Sequence, residues 1–72
     1  MAEVRFEIQQ NVACLSENKR GWTKELNLVS WNGNEAKYDI RLWSPDHTEM
    51  GKGITLTREE LVALKDVLNE LL

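Results

Sequence analysis

Residues 22–43 read WTKELNLVSWNGNEAKYDIRLW, two alternating runs around an Asn-Gly pair. Alternation of apolar and polar side chains is the period of a half-buried strand, and Asn-Gly supplies the left-handed residues of a tight hairpin turn. The stretch predicts one strand over Trp22–Trp31 and another over Lys37–Trp43, with residues 32–36 between them. Leu26 and Leu28 mark one face of the first strand; Tyr38, Ile40 and Leu42 mark one face of the second. These sets share a face when paired residue numbers sum to an even value. Pairing Leu28 with Ile40 and Leu26 with Leu42 satisfies this and leaves a three-residue loop, Gly33–Glu35. The opposite, non-core face then carries Trp31 across from Lys37, Asn27 across from Arg41, and Glu25 near Trp43.

Upstream, Val4-Arg5-Phe6-Glu7-Ile8 alternates in the same way and is expected to continue, with a bend around Gln9–Asn11, into Val12–Leu15. Ser16–Gly21 is a polar connection. Downstream, Ser44–Gly53 reads as a loop holding the only proline, and Ile54–Leu56 as a short strand. Thr57 followed by Glu60 is a capping box that opens a helix. Leu61, Leu64, Leu68 and Leu71 then recur at spacings of three and four, widened by Val67 and Leu72. The fold class expected is α+β: four antiparallel strands followed by one C-terminal helix, forming one domain over residues 1–72.

Seventy-two residues make a small core. A chain of this length buries only about 60% of the surface its unfolded form exposes, so such domains recruit a disulfide, a metal or a second subunit. Cys14 is the sole cysteine, which excludes an intrachain disulfide and suits a reducing compartment. The opening MAEVRFEIQQ is too polar for a targeting segment, and no apolar run approaches a membrane span. The expectation is a cytoplasmic homodimer, nucleoid-associated if nucleic acid is its ligand, with the leucine stripe as a subunit interface. Net charge is −3. The acidic excess sits at the two ends, whereas over residues 17–57 Lys19, Arg20, Lys24, Lys37, Arg41 and Lys52 balance six carboxylates.

Catalytic machinery is not visible. The one histidine, His47, falls in a polar loop and reads as solvated; Cys14 falls in a strand and reads as a small buried residue. No Cys-x-x-Cys or His-x-x-His pair offers a metal site, and Gly51-Lys52-Gly53 precedes a strand rather than a helix, so it lacks the context of a phosphate-cradling loop. No enzyme activity, cofactor or small-molecule substrate is expected.

Trp22, Trp31 and Trp43 are unusual in so short a chain, and all lie at strand ends. Each has a cation nearby: Lys24 after Trp22, Lys37 opposite Trp31 in the expected register, Arg41 before Trp43. Packing inside a core or between subunits is the ordinary role of a tryptophan. Aromatic faces interleaved with cations are also what unpaired bases require, since bases stack on the rings while the cations track the backbone. The expected nucleic-acid-binding set is Lys19, Arg20, Trp22, Lys24, Trp31, Lys37, Arg41, Trp43 and Lys52. Parity places Trp22 with Leu26 and Leu28, leaving open whether it belongs to the core or to the ligand.

Tyr38-Asp39-Ile40-Arg41, Trp43, and Gly51-Lys52-Gly53-Ile54-Thr55-Leu56 running into the helix resemble the transcriptional positive cofactor 4 family. Gly21–Gly33 brings the resemblance nearer to its bacterial YdbC-like branch. It covers nearly the whole chain and implies four antiparallel strands with a C-terminal helix, dimerised so that two curved sheets form grooves for single-stranded DNA. It further implies that Trp31 is a stacking aromatic, Arg41 and Lys52 phosphate-contacting cations, Trp43 a second aromatic, and Lys37 a further contact. The Asn-Gly-Asn turn lacks the lysines that family members often place there. The serine-rich acidic tail of the eukaryotic coactivators has no counterpart in these residues. The expected function is sequence-tolerant single-stranded DNA binding in transcription, replication or repair. Single-stranded RNA is an alternative ligand, and a protein-interaction module that adds a partner strand to a sheet edge is an alternative of another class.

Overall fold

The computed structural model describes residues 5–72. Strands β1 (Phe6–Glu17), β2 (Thr23–Trp31), β3 (Lys37–Trp43) and β4 (Met50–Leu56) are followed by helix α1 (Arg58–Leu71). The strands form one antiparallel sheet in the order β1-β2-β3-β4, the α+β arrangement expected. Val4, where the first strand was expected to open, lies outside the described residues.

The β2–β3 hairpin keeps the expected parity but not the expected register. Leu26 pairs with Ile40 and Leu28 with Tyr38, two residues away from the Leu26–Leu42 and Leu28–Ile40 pairing. Lys37 therefore faces Val29, Asn27 faces Asp39, and Arg41 faces Glu25. Trp31 has no partner on β3; it pairs with Phe6 of β1. The turn explains the slip. Asn32 (φ 52) and Gly33 (φ 76) both take the left-handed conformation of a tight turn, closed by the Asn34 N–H donating to the Trp31 carbonyl at 2.9 Å. Asn32 also exchanges bonds with Arg5: its N–H donates to the Arg5 carbonyl at 2.7 Å, and its Oδ1 accepts from the Arg5 N–H at 2.9 Å. Those bonds commit the end of β2 to β1 and widen the connection to β3.

β1 is a single twelve-residue strand rather than two arms around a bend. Its irregularity is spread over three register shifts, at Ile8/Gln10, Asn11/Ala13 and Cys14/Ser16. Cys14 is exposed, contrary to the buried position expected of it, because it lies on this edge strand next to a shift. β4 begins four residues earlier than expected and takes in Gly51-Lys52-Gly53. Gly53 is required there: a Cβ would collide with Arg41 Cβ and the Ile40 carbonyl.

The largest departure concerns the core. The fully buried apolar side chains among the described residues are Val29 and Trp43, both on the tryptophan face, together with Asn27 and Asp39. Leu26, Leu28, Ile40 and Leu42 are only half-buried. Curvature is the cause. In a straight sheet the levels of Phe6–Trp31 and Thr23–Trp43 would lie about 26 Å apart, yet the Phe6 and Trp43 ring centroids are 5.1 Å apart. Bulges bend strands and increase their twist. The sheet closes over its tryptophan face, which becomes the interior of the bend.

The capping box of α1 forms as expected: Thr57 Oγ1 accepts from the Glu60 N–H at 3.1 Å, and Glu60 Oε1 accepts from the Thr57 N–H at 2.8 Å. The helix approaches β3 and β4 and buries none of its residues fully. Leu68, Leu71 and Val67 stay exposed, and an apolar groove runs between the sheet and α1, lined by Leu15, Leu26, Ile40, Leu61, Leu64 and Leu68. No helix among the described residues is long and apolar enough to cross a membrane.

Candidate nucleic-acid interface

Strand alternation puts Trp31, Lys37, Asp39, Arg41 and Trp43 on the concave face, with Glu25, Asn27 and Val29. At its centre lies an ion pair. Asp39, fully buried, accepts from Arg41 Nε at 2.6 Å and Nη2 at 2.8 Å, and from Thr55 Oγ1 at 3.2 Å. Bidentate carboxylate–guanidinium geometry fixes the guanidinium plane as well as its position. Held this way, the Arg41 guanidinium carbon sits 4.6 Å from the Trp31 ring centroid, a cation–π contact. Phe6 supports Trp31 from β1, with ring centroids 6.0 Å apart and planes tilted by 49°.

A second carboxylate, Glu25, organises the other end of the face. Its Oε1 accepts from Asn11 Nδ2 at 2.8 Å and Asn27 Nδ2 at 3.1 Å; its Oε2 accepts from Thr23 Oγ1 at 2.5 Å and His47 Nε2 at 2.9 Å. Burial pushes the Glu25 carboxyl up, but bonds from Thr23, Asn27 and His47, with the His47 charge, outweigh it and hold the group below the ordinary carboxylate value. His47 is thus not the solvated loop residue expected. Its ring stacks on Trp43, with centroids 5.7 Å apart and planes 27° apart. The loop that delivers it is built around Asp46, whose Oδ1 accepts from Ser44 Oγ and from the Thr48 hydroxyl and N–H. Those bonds lower the Asp46 pKa to about 2.

The expected binding residues divide into groups. Trp31, Arg41 and Trp43 converge on the concave face, but Trp43 is fully buried between Phe6 and His47 and has no free ring face to offer. Lys37 is exposed at the start of β3 on the same face. Lys52 is exposed where β4 bulges between the Arg41–Gly53 and Trp43–Met50 pairs. Trp22 is half-buried just ahead of β2, its N–H donating to Asn18 Oδ1 at 3.0 Å. Lys19 and Arg20 are exposed on the turn before it, and that turn meets the 44–49 loop, since a Cβ on Gly21 would lie 3.3 Å from Pro45 Cγ. Lys24 pairs with Leu42 and alternates onto the leucine face, away from the others. His47 and Glu25 are the members that sequence reasoning missed. The available signal was a lone histidine two residues beyond a proline, which is weak. Among the described residues, no three His, Cys, Asp or Glu side chains cluster as a metal site would require.

A family model described as Transcriptional Coactivator p15 (PC4) matches residues 18–67, spanning β2, β3, β4 and most of α1. The chain belongs to the PC4 family. Membership places it among nucleic-acid-binding, coactivator-type proteins, and the PC4 match takes in every residue of the concave face contributed by β2, β3 and β4. A protein of Treponema pallidum (strain Nichols), described as an uncharacterized protein, is 52% identical over 69 residues, which is 96% of this chain and 81% of the relative.

Proposed function

We propose that this PC4-family chain is a sequence-tolerant single-stranded DNA-binding protein that works as a homodimer in cytoplasmic transcription, replication or repair. One observation carries the reading: a buried carboxylate, Asp39, fixes Arg41 over the half-buried Trp31 as one stacked unit. Guanidinium planes and aromatic rings both accept unpaired bases, and a duplex has no base faces to give them. Lys37 and Lys52, both exposed, are the cations for phosphate. Lys19, Arg20 and Trp22 extend the contact at the other end of the sheet, and Trp43 acts from beneath. Lys24, on the leucine face, contributes only through its long-range charge. The acidic groups of the concave face do not repel a polyanion as free carboxylates would, because Asp39 and Glu25 are buried and bonded.

Support for the dimer comes from the leucine face. A groove walled by Leu26, Ile40, Leu61, Leu64 and Leu68, beside a helix with no fully buried residue, is an apolar surface that a second copy would cover. Addition of a foreign strand at the β1 edge is disfavoured, because β1 is interrupted by three register shifts.

Intrinsic tryptophan fluorescence titrated with single-stranded DNA, single-stranded RNA and duplex of equal length tests the proposal. Quenching by single-stranded DNA, with duplex much weaker, is the expected result. Equal binding of duplex, or a response to RNA alone, would sink it.

A further inference from the structure

Two side-chain stacks of the same construction stand on the concave face. In the first, buried Asp39 holds Arg41 over Trp31. In the second, buried Glu25 holds His47 over Trp43. The first is the unit on which single-strand binding was argued above; the second has no assigned role. Trp43 cannot meet a ligand itself. It is fully buried, and its indole N–H, like that of Trp31, is shut off from solvent with no acceptor among the described residues. The outer layer of the second stack is the imidazole, whose side chain is 39% exposed.

The 44–49 loop is shaped to present that ring. His47 takes a left-handed backbone conformation (φ 59), uncommon for a residue with a side chain. Its N–H donates to the Ser44 carbonyl at 2.9 Å, and Asp46 ties Ser44 to Thr48. The ring is then fixed on one side by Trp43 and at its edge by Glu25. Unfavourable backbone geometry that the surroundings over-determine gathers where a side chain must be aimed. A planar ring backed by an indole and pinned at its edge is a preorganised stacking surface, and histidine is among the side chains on which splayed bases stack.

We infer that His47, backed by Trp43 and anchored by Glu25, is a nucleobase-stacking residue, a second platform on the same face as the Arg41–Trp31 unit. The inference rests on the proposed single-strand binding and assigns its second base contact to a residue outside the tryptophan and lysine set. Trp43 and Glu25 are positioning residues that act through the imidazole.

The experiment follows the imidazole Cε1–H and Cδ2–H signals by NMR as oligo-dT is added, alongside affinities of His47→Ala and His47→Phe. Stacking shifts both signals upfield by ring current. His47→Ala weakens binding by about tenfold, within the range of one lost base stack. His47→Phe, which keeps a ring but loses the Glu25 bond, recovers most of that loss. Unmoved imidazole signals in a protein that binds oligo-dT would overturn the inference, as would a phenylalanine variant no better than alanine. If the alanine variant fails to fold, the signals of the unsubstituted protein and the phenylalanine variant decide the matter. Wild-type protein that binds no oligonucleotide overturns both readings; binding that ignores His47 overturns only this one.

Discussion

Asp39 neutralises Arg41 from two residues away on the same strand, through bonds of 2.6 Å to Nε and 2.8 Å to Nη2. The carboxylate is fully buried and the Arg41 side chain only 15% exposed, so the pair behaves as one neutral, planar object.

Charge bookkeeping at the interface follows from that pair. Lys37→Ala and Lys52→Ala should each flatten the log–log salt dependence of single-strand binding, by up to about 0.7 units per lost phosphate contact. Arg41→Ala should flatten the slope as well, because it leaves the Asp39 carboxylate unmatched. Trp31→Ala should instead weaken binding with little change of slope, because stacking releases few counterions. Affinities measured over a salt series distinguish the two behaviours.

Asp39→Ala leaves a mostly buried guanidinium without its partner. Breaking a buried pair in this way costs about 3–5 kcal/mol. Chemical denaturation should show that loss, and Asp39→Asn, which keeps a hydrogen-bond acceptor, should show less.

Trp43→Ala should destabilise the fold by about 3–5 kcal/mol, the usual cost of emptying a large aromatic site. Trp31, half-exposed, should be replaceable at smaller cost to folding while binding falls. Paired urea melts and oligo-dT titrations of the two variants test this division.

Glu25 titrates lower in the folded protein than in the unfolded chain. The stability it contributes is therefore complete above its ordinary value of 4.5 and is lost as pH falls through the lower, folded value. Acid unfolding followed by tryptophan fluorescence should start in that window. Glu25→Gln should be less stable at neutral pH and lose less on acidification.

A homodimer should sediment at twice the 8.3 kDa chain mass. Leu68→Glu, on the apolar groove, should shift it toward monomer. A folded wild-type monomer at micromolar concentration would contradict the proposed interface.

Much of the fold was legible because its signals are local. The capping box of Thr57 and Glu60, the Asn-Gly turn and the parity of Leu26, Leu28, Tyr38 and Ile40 need only nearby residues to read. The register was not legible, because a two-residue slip preserves every face. What selects the true register is the bonding of Asn32 to Arg5, just ahead of β1 and 27 residues away. Curvature was hidden for the same reason. The bulges of β1 leave no mark in the alternation of β2 and β3, yet they help turn the tryptophan face inward and bury Trp43. The role of His47 depends on both, since Glu25 and Trp43 come beneath its ring only after the sheet has bent.

The strands stand in space in the order in which they occur in the chain. Every pairing therefore joins sequence neighbours, and no strand waits for a distant mate. Closing such short loops costs little entropy. On a ribosome, β1 can pair with β2 before β3 has been made, and each later strand meets an edge already in place. The helix follows the strands in the chain, carrying the exposed leucines. The exposed leucines of the helix are thus synthesised after all four strands, and they appear only when the sheet beside them is complete.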